Sequence, residues 1–133
     1  HQWRDLKTAG SQRDIPLVGA SLWAAERASE NTKTQFLFPR YSNEEGCKAD
    51  YASNSLNKWL KPHVPSGCVV HSFRHSIRDR LRAVECPSDV IDQIGGWQPA
   101  GVGKNYGQGY GVELTQKYLS AITEVPTGLE HRR

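Results

Sequence analysis

Val70-His71-Ser72-Phe73-Arg74-His75-Ser76-Ile77-Arg78-Asp79-Arg80-Leu81-Arg82-Ala83-Val84 is the stretch that decides the fold. Its apolar residues Val70, Phe73, Ile77, Leu81 and Val84 recur every three or four positions, the repeat of a helix face turned to a core. Arg74, Arg78 and Arg82 recur every four residues on a second face beside that stripe. Pro87-Ser88 then opens a short helix with Val90, Ile91 and Ile94 inward, and Gly95-Gly96 ends it. Two consecutive helices joined by a tight turn are thus the expected centre of the molecule.

Beyond them, seven of the chain's 12 glycines fall between Gly95 and Gly111, which predicts an irregular, mobile segment. Leu114, Tyr118, Leu119 and Ile122 then predict a last short helix, and residues 124–133 read as a polar tail. On the N-terminal side, residues 3–17 predict strand, turn and strand. Ala9-Gly10-Ser11-Gln12 forms the turn, and Pro16 lies at an edge or strand end because it cannot donate to a ladder. Leu22, Trp23, Ala25 and Ala28 suit an amphipathic helix over residues 20–31, capped by Ser21. Phe36-Leu37-Phe38-Pro39 reads as a small buried strand, and residues 41–48 as a loop. Tyr51, Leu56, Trp59 and Leu60 give helical spacing, which Lys61-Pro62 stops before a turn at Pro65-Ser66-Gly67. The fold class predicted is α+β, mostly α, with a small antiparallel β-hairpin or three-stranded sheet near the N-terminus.

A length of 133 residues suits one domain with a real core. The balance of 37% hydrophobic and 23% charged residues is globular, and a formal net charge of +3 alone says little about partners. Distribution says more: from His71 to Arg82 stand four arginines and two histidines against one acid, Asp79. No apolar run approaches membrane-spanning length and no secretory signal opens the chain. Cys47, Cys68 and Cys86 are an odd, unclustered set, which fits reduced thiols in a cytoplasm.

The chemistry gathers around phosphate. A guanidinium clamps a phosphate bidentately, a histidine moves a proton, and a tyrosine hydroxyl can form a phosphoester. His71 and Arg74, three residues apart, are placed to converge at a helix N-terminus, where backbone N–H groups and the dipole favour an anion. His71 and His75 have the four-residue spacing of zinc-protease histidines, but Ser72 stands where that chemistry needs a glutamate, and the neighbouring arginines oppose a cation. His75 is more simply a packed or hydrogen-bonded residue. Arg78 and Arg82 could equally be a solvated basic face, Trp97 a core anchor, Tyr106 a surface aromatic and Lys7 an ordinary exposed lysine.

The order changes these odds. His71-x-x-Arg74, then Gly95-Gly96-Trp97, then Tyr106 nine residues on, resembles the motif order of the tyrosine recombinases, the family of phage integrases and related DNA breaking–rejoining enzymes. Leu6-Lys7-Thr8 resembles that family's lysine-bearing β-turn, and the likeness runs from about residue 3 to residue 122. Two features depart from it. A histidine usually stands at the place of Trp97, where tryptophan is an accepted variant. A further arginine and an N-terminal DNA-clamping domain lie upstream of the hairpin in family members. The resemblance therefore implies that residues 1–123 are the C-terminal part of an integrase-type catalytic core.

It further implies these roles: Tyr106 as nucleophile, Arg74 and His71 at the scissile phosphate, Trp97 as an oxygen donor and Lys7 as the acid for the leaving oxygen. Arg78, Arg82 and His75 would touch DNA. Neither metal nor cofactor is implied. The expected partners are double-stranded DNA and further recombinase subunits, with no membrane, in a bacterial cytoplasm at the nucleoid. A noncatalytic DNA-binding module, or a type IB topoisomerase-like nicking–closing enzyme, is the alternative.

Overall fold

The computed structural model of the chain describes residues 13–97 and 109–124. These are mostly helical: α1 (Gly19–Asn31), α2 (Ala49–Leu60), α3 (Ser72–Ala83), α4 (Ser88–Gly95) and α5 (Val112–Glu124), with a short 3₁₀ turn at Lys61–His63. The sheet among the described residues is one antiparallel pair, β1 (Ser42–Asn43) and β2 (Gly46–Cys47), in which Ser42 faces Cys47 and Asn43 faces Gly46. The expected N-terminal hairpin falls largely outside the described residues, and Arg13 to Val18 is irregular.

The core lies where α3, α4 and α5 meet. Leu81 from α3, Val90, Ile91 and Ile94 from α4, Leu119 and Ile122 from α5, and Cys86 between α3 and α4 are buried together. Arg80 ties the layers by donating from its guanidinium to the Ile122 carbonyl near the end of α5, where a cation also suits the helix dipole. Along the predicted α3 stripe, Leu81 is fully buried and Ile77 and Val84 are partly so, whereas Phe73 is 61% exposed. The helix boundaries follow local chemistry. Ser21 sits inside α1 rather than before it, and its hydroxyl accepts from the Val18 N–H (3.1 Å) and donates to the Val18 carbonyl (2.7 Å). Pro62 cannot continue the α2 ladder, so the chain passes from Leu60 into the 3₁₀ turn.

Four expectations are corrected. Residues 36–39 are not a buried strand: Phe38 is 58% exposed, and local bonds take the place of a ladder. The Phe36 carbonyl accepts from the hydroxyls of Thr32 (2.8 Å) and Thr34 (3.1 Å), and the Phe38 carbonyl from the N–H groups of Tyr41 and Ser42. Residues 41–48 are not a plain loop but hold β1 and β2, whose turn is closed by the Asn43 amide oxygen accepting from the N–H groups of Glu45 and Gly46. The apolar residues of α1 do not reach a core, for no residue of that helix is buried and Trp23 is 63% exposed. Glu124, placed in the polar tail by sequence, is the last residue of α5. No described helix is long and apolar enough to cross a membrane.

Candidate functional site

Around a helix, residues advance by about 100° each, so His71, Arg74, His75 and Arg78 fall within roughly 100° of arc on one side of α3. That side meets the C-terminal end of α4. There the Gly96 N–H donates to the Gln93 carbonyl (3.2 Å) and the Trp97 N–H to the Asp92 carbonyl (2.9 Å), while Gly96 takes the left-handed conformation at φ 63°. This is a Schellman closure, and its consequence is to throw Trp97 back across the helix end. The ring lies so close over Gly95 that a Cβ there would meet Trp97 Cζ3 at 1.8 Å. Only glycine fits.

Two guanidinium groups rest against the returned indole. The Arg74 head lies 4.5 Å from the ring centroid and the Arg78 head 4.8 Å. Arg74 Nη1 also donates to the Gly95 carbonyl (2.7 Å), and Arg78 Nη2 donates to the half-buried Asp92 carboxylate (3.1 Å). A third guanidinium arrives from the start of the described chain, as Arg13 donates to the carbonyls of Ile94 (3.1 Å) and Gly95 (3.3 Å). Cations suit this end of a helix dipole. Arg13 and Arg74 thus share the Gly95 carbonyl oxygen. Arg78 Nε is shielded from solvent and has no hydrogen-bond partner among the described residues.

Arg74, Arg78 and Trp97 are therefore brought together, with Arg74 directed to the end of α4 rather than to the first N–H groups of α3. His71 directly precedes α3 and is exposed, and its ring meets that of His75 edge-on at 5.8 Å between centroids. Arg82 lies one turn beyond Arg78 and pairs with Asp79 at 3.3 Å on the exposed surface. Tyr106 and Lys7 lie outside the described residues.

Sequence reasoning missed Arg13, Asp92 and a second group on α4. The Gln93 side chain makes both hydrogen bonds that the Tyr110 backbone offers, donating to its carbonyl (2.7 Å) and accepting from its N–H (2.8 Å). One turn earlier, Asp89 accepts from the Tyr110 hydroxyl. That bond holds the Asp89 carboxyl below its ordinary pKa and pushes the Tyr110 hydroxyl above its own. Burial, followed by the nearby charge of Asp89, raises the Cys86 thiol, so it is a core residue and a poor nucleophile.

Among the described residues no three His, Cys, Asp or Glu side chains gather as a metal ion would need. A cleft of about 350 Å³ lies beside the β1–β2 hairpin, lined by Thr34, Phe36, Pro39 and Asn43 among others, and shares no residue with the guanidinium group. Comparison with known protein families, curated proteins and solved structures finds no match for this chain.

Proposed function

We propose that this chain carries part of the catalytic region of a tyrosine-type site-specific DNA recombinase of the integrase kind, built on an integrase-type core. The observation that carries the proposal is the gathering of Arg74 and Arg78 on the Trp97 ring at the end of α4. Further support comes from the order of His71, Arg74, Trp97 and Tyr106 along the sequence.

In this mechanism the Tyr106 phenolic oxygen attacks a DNA phosphorus, His71 assists removal of its proton, and the bond to the leaving 5′-oxygen breaks. Lys7 gives that oxygen a proton. The product is a 3′-phosphotyrosine link, which a 5′-hydroxyl later attacks to restore the DNA and release Tyr106. Charge that grows on the nonbridging oxygens is met by Arg74, whose position is fixed before reaction by Trp97 and the Gly95 carbonyl. The Trp97 indole N–H is a further donor to such an oxygen. Double-stranded DNA is the substrate, further copies of the recombinase are the partners in strand exchange, and the bacterial nucleoid is the place of work.

The test is to incubate the full-length protein with a pool of nicked duplexes carrying randomised sequence beside the nick, and to look for a covalent protein–DNA band. The band is expected from the unsubstituted protein and from Tyr110→Phe but not from Tyr106→Phe, which should still bind DNA with an affinity that falls steeply as salt rises. DNA binding without any adduct would instead mark a noncatalytic binding module. An adduct with relaxation of supercoils but no exchange between marked sites would mark a nicking–closing enzyme.

A further inference from the structure

Arg74 and Arg78 stand one turn apart on α3 and rest on the same indole, yet their guanidinium groups are held in different ways. Arg78 is paired: its Nη2 donates to the Asp92 carboxylate at 3.1 Å, and the Asp92 side chain is only 18% exposed. Arg74 is bonded to a neutral acceptor, the Gly95 carbonyl, and among the described residues no carboxylate pairs with it. One guanidinium is thus neutralised at the site, and the other keeps its full charge.

Asp92 acts on Trp97 from two directions. Its backbone carbonyl accepts from the Trp97 N–H (2.9 Å) in the turn that ends α4. Its carboxylate holds the Arg78 guanidinium where it lies, 4.8 Å from the Trp97 ring centroid. For Arg78 to turn to an outside phosphate it would have to abandon a carboxylate with little access to water, which costs far more than parting a surface ion pair. Arg74 abandons nothing of the kind. It can give a phosphate its remaining N–H groups while Nη1 stays on the Gly95 carbonyl.

We infer that Asp92 is a positioning residue: it commits Arg78 to propping Trp97, so that of the two stacked arginines Arg74 alone is offered to a DNA phosphate. This rests on the proposed recombinase reading for the identity of the phosphate. Arg78 lies on the arginine face of α3, but its charge is spent inside the protein, and it supports the site without touching DNA.

The experiment measures binding of the full-length protein to duplex DNA over a range of salt concentrations, and adduct formation on the nicked duplex pool at saturating DNA. The variants are Arg74→Met, Arg78→Met, Asp92→Asn and Asp92→Glu. Glu26→Gln, on the exposed surface of α1, is the control that makes the same change in net charge as Asp92→Asn. Each phosphate neutralised by a cation contributes about 0.9 to the slope of log affinity against log salt. Arg74→Met should therefore flatten the slope by about that amount, and Arg78→Met should leave it unchanged. Asp92→Asn frees Arg78, so the slope should steepen by up to about 0.9 and affinity at low salt should rise several-fold. Adduct formation by the same variant should slow on the order of tenfold, because Trp97 and the Arg74 beside it lose their support. Tighter binding with slower chemistry is a pair of changes that a loss of folded protein does not produce. Asp92→Glu keeps the carboxylate and should return both readouts toward those of the unsubstituted protein, and Glu26→Gln should move neither.

Equal flattening of the slope by Arg78→Met and Arg74→Met would make Arg78 a second phosphate clamp and overturn the assignment, with the recombinase proposal left standing. An Asp92→Asn protein whose slope and rate match those of Glu26→Gln would overturn it as well. If Asp92→Asn fails to fold, the Arg78→Met slope decides. Absence of any adduct from the unsubstituted protein would remove the reaction, and the slopes of the two methionine variants would still separate clamp from support. Absence of DNA binding would overturn both.

Discussion

The ends of α3 and α4 are closed by one hydrogen-bond pattern and put to different uses. At α3 the Glu85 N–H donates to the Arg82 carbonyl and the Cys86 N–H to the Leu81 carbonyl; at α4 the Gly96 and Trp97 N–H groups make the equivalent bonds to Gln93 and Asp92. In both turns the third-last position is taken up by the residue that follows the left-handed one. After α3 that residue is Cys86, small and buried, and it completes the core with Leu81. After α4 it is Trp97, too large to be swallowed, and it folds over Gly95 to become a surface for two arginines. A turn type decides where a side chain goes; the size of the side chain and the glycine beneath it decide whether the result is core or site.

The largest effect expected from this contrast is at Gly95. In Gly95→Ala the new methyl would occupy the space of the Trp97 ring, so the ring must leave, at a cost of about 2 kcal/mol by analogy with overpacked cores. Arg74 and Arg78 lose their platform with it. Denaturant unfolding should show the loss, and salt-dependent DNA binding should weaken beyond what the stability change explains. Wild-type stability for this variant would mean that Trp97 does not lie over Gly95.

The α3 end gives the smaller, opposite effect. Glu85 holds φ 57°, a conformation in which its Cβ is strained by about 1 kcal/mol, while Gly96 holds φ 63° without a Cβ. Glu85→Gly should relieve that strain and give back part of it through the greater freedom of glycine in the unfolded chain, for a net gain of about 0.5 kcal/mol. A destabilised variant would show that the Glu85 side chain contributes a contact that outweighs its backbone strain.

The α3–α4–α5 centre was legible in the sequence because one rule governs it: apolar residues at helical spacing, ended at Gly95-Gly96 and resumed at Leu114. The exposed half was not. Short apolar runs such as Phe36-Leu37-Phe38 carry no periodicity, and neighbouring threonine hydroxyls decided their conformation. The β1–β2 pair is too short for an alternation to show, although Asn43 and Gly46 signal its turn. In the candidate site, Arg74 and Arg78 shared a helix face by their spacing, and Trp97 was singled out by the resemblance. Arg13 did not, for it reaches the Ile94 carbonyl across 81 positions of sequence, and a backbone acceptor leaves no trace in residue identity. Asp92, Gln93 and Asp89 were invisible for a related reason. Their partners come from α3 and from the far end of the glycine-rich segment, so only the folded arrangement of α4 assigns them.

The finest test of the contrast lies elsewhere on α4, where Tyr110 is bonded rather than stacked. The Tyr110 hydroxyl bond lowers the Asp89 pKa, so what it adds to stability is present above the ordinary carboxylate range and lost as pH falls through the lowered value. The same bond raises the Tyr110 pKa, so that contribution is whole below an ordinary tyrosine's ionisation near pH 10 and is lost only as pH rises through the raised value. The bond should therefore be insensitive to pH throughout the neutral range, and its signature is a late-ionising phenol. Ultraviolet titration of the folded protein should show a phenol component above the ordinary tyrosine range, and the difference curve against Tyr110→Phe should contain that late component. Asp89→Asn replaces the charged acceptor with a neutral one and should bring the component back toward the ordinary tyrosine value. If the component missing from Tyr110→Phe instead titrates with the bulk of the phenols, the hydroxyl is not held by Asp89, and α4 fastens residue 110 through Gln93 alone.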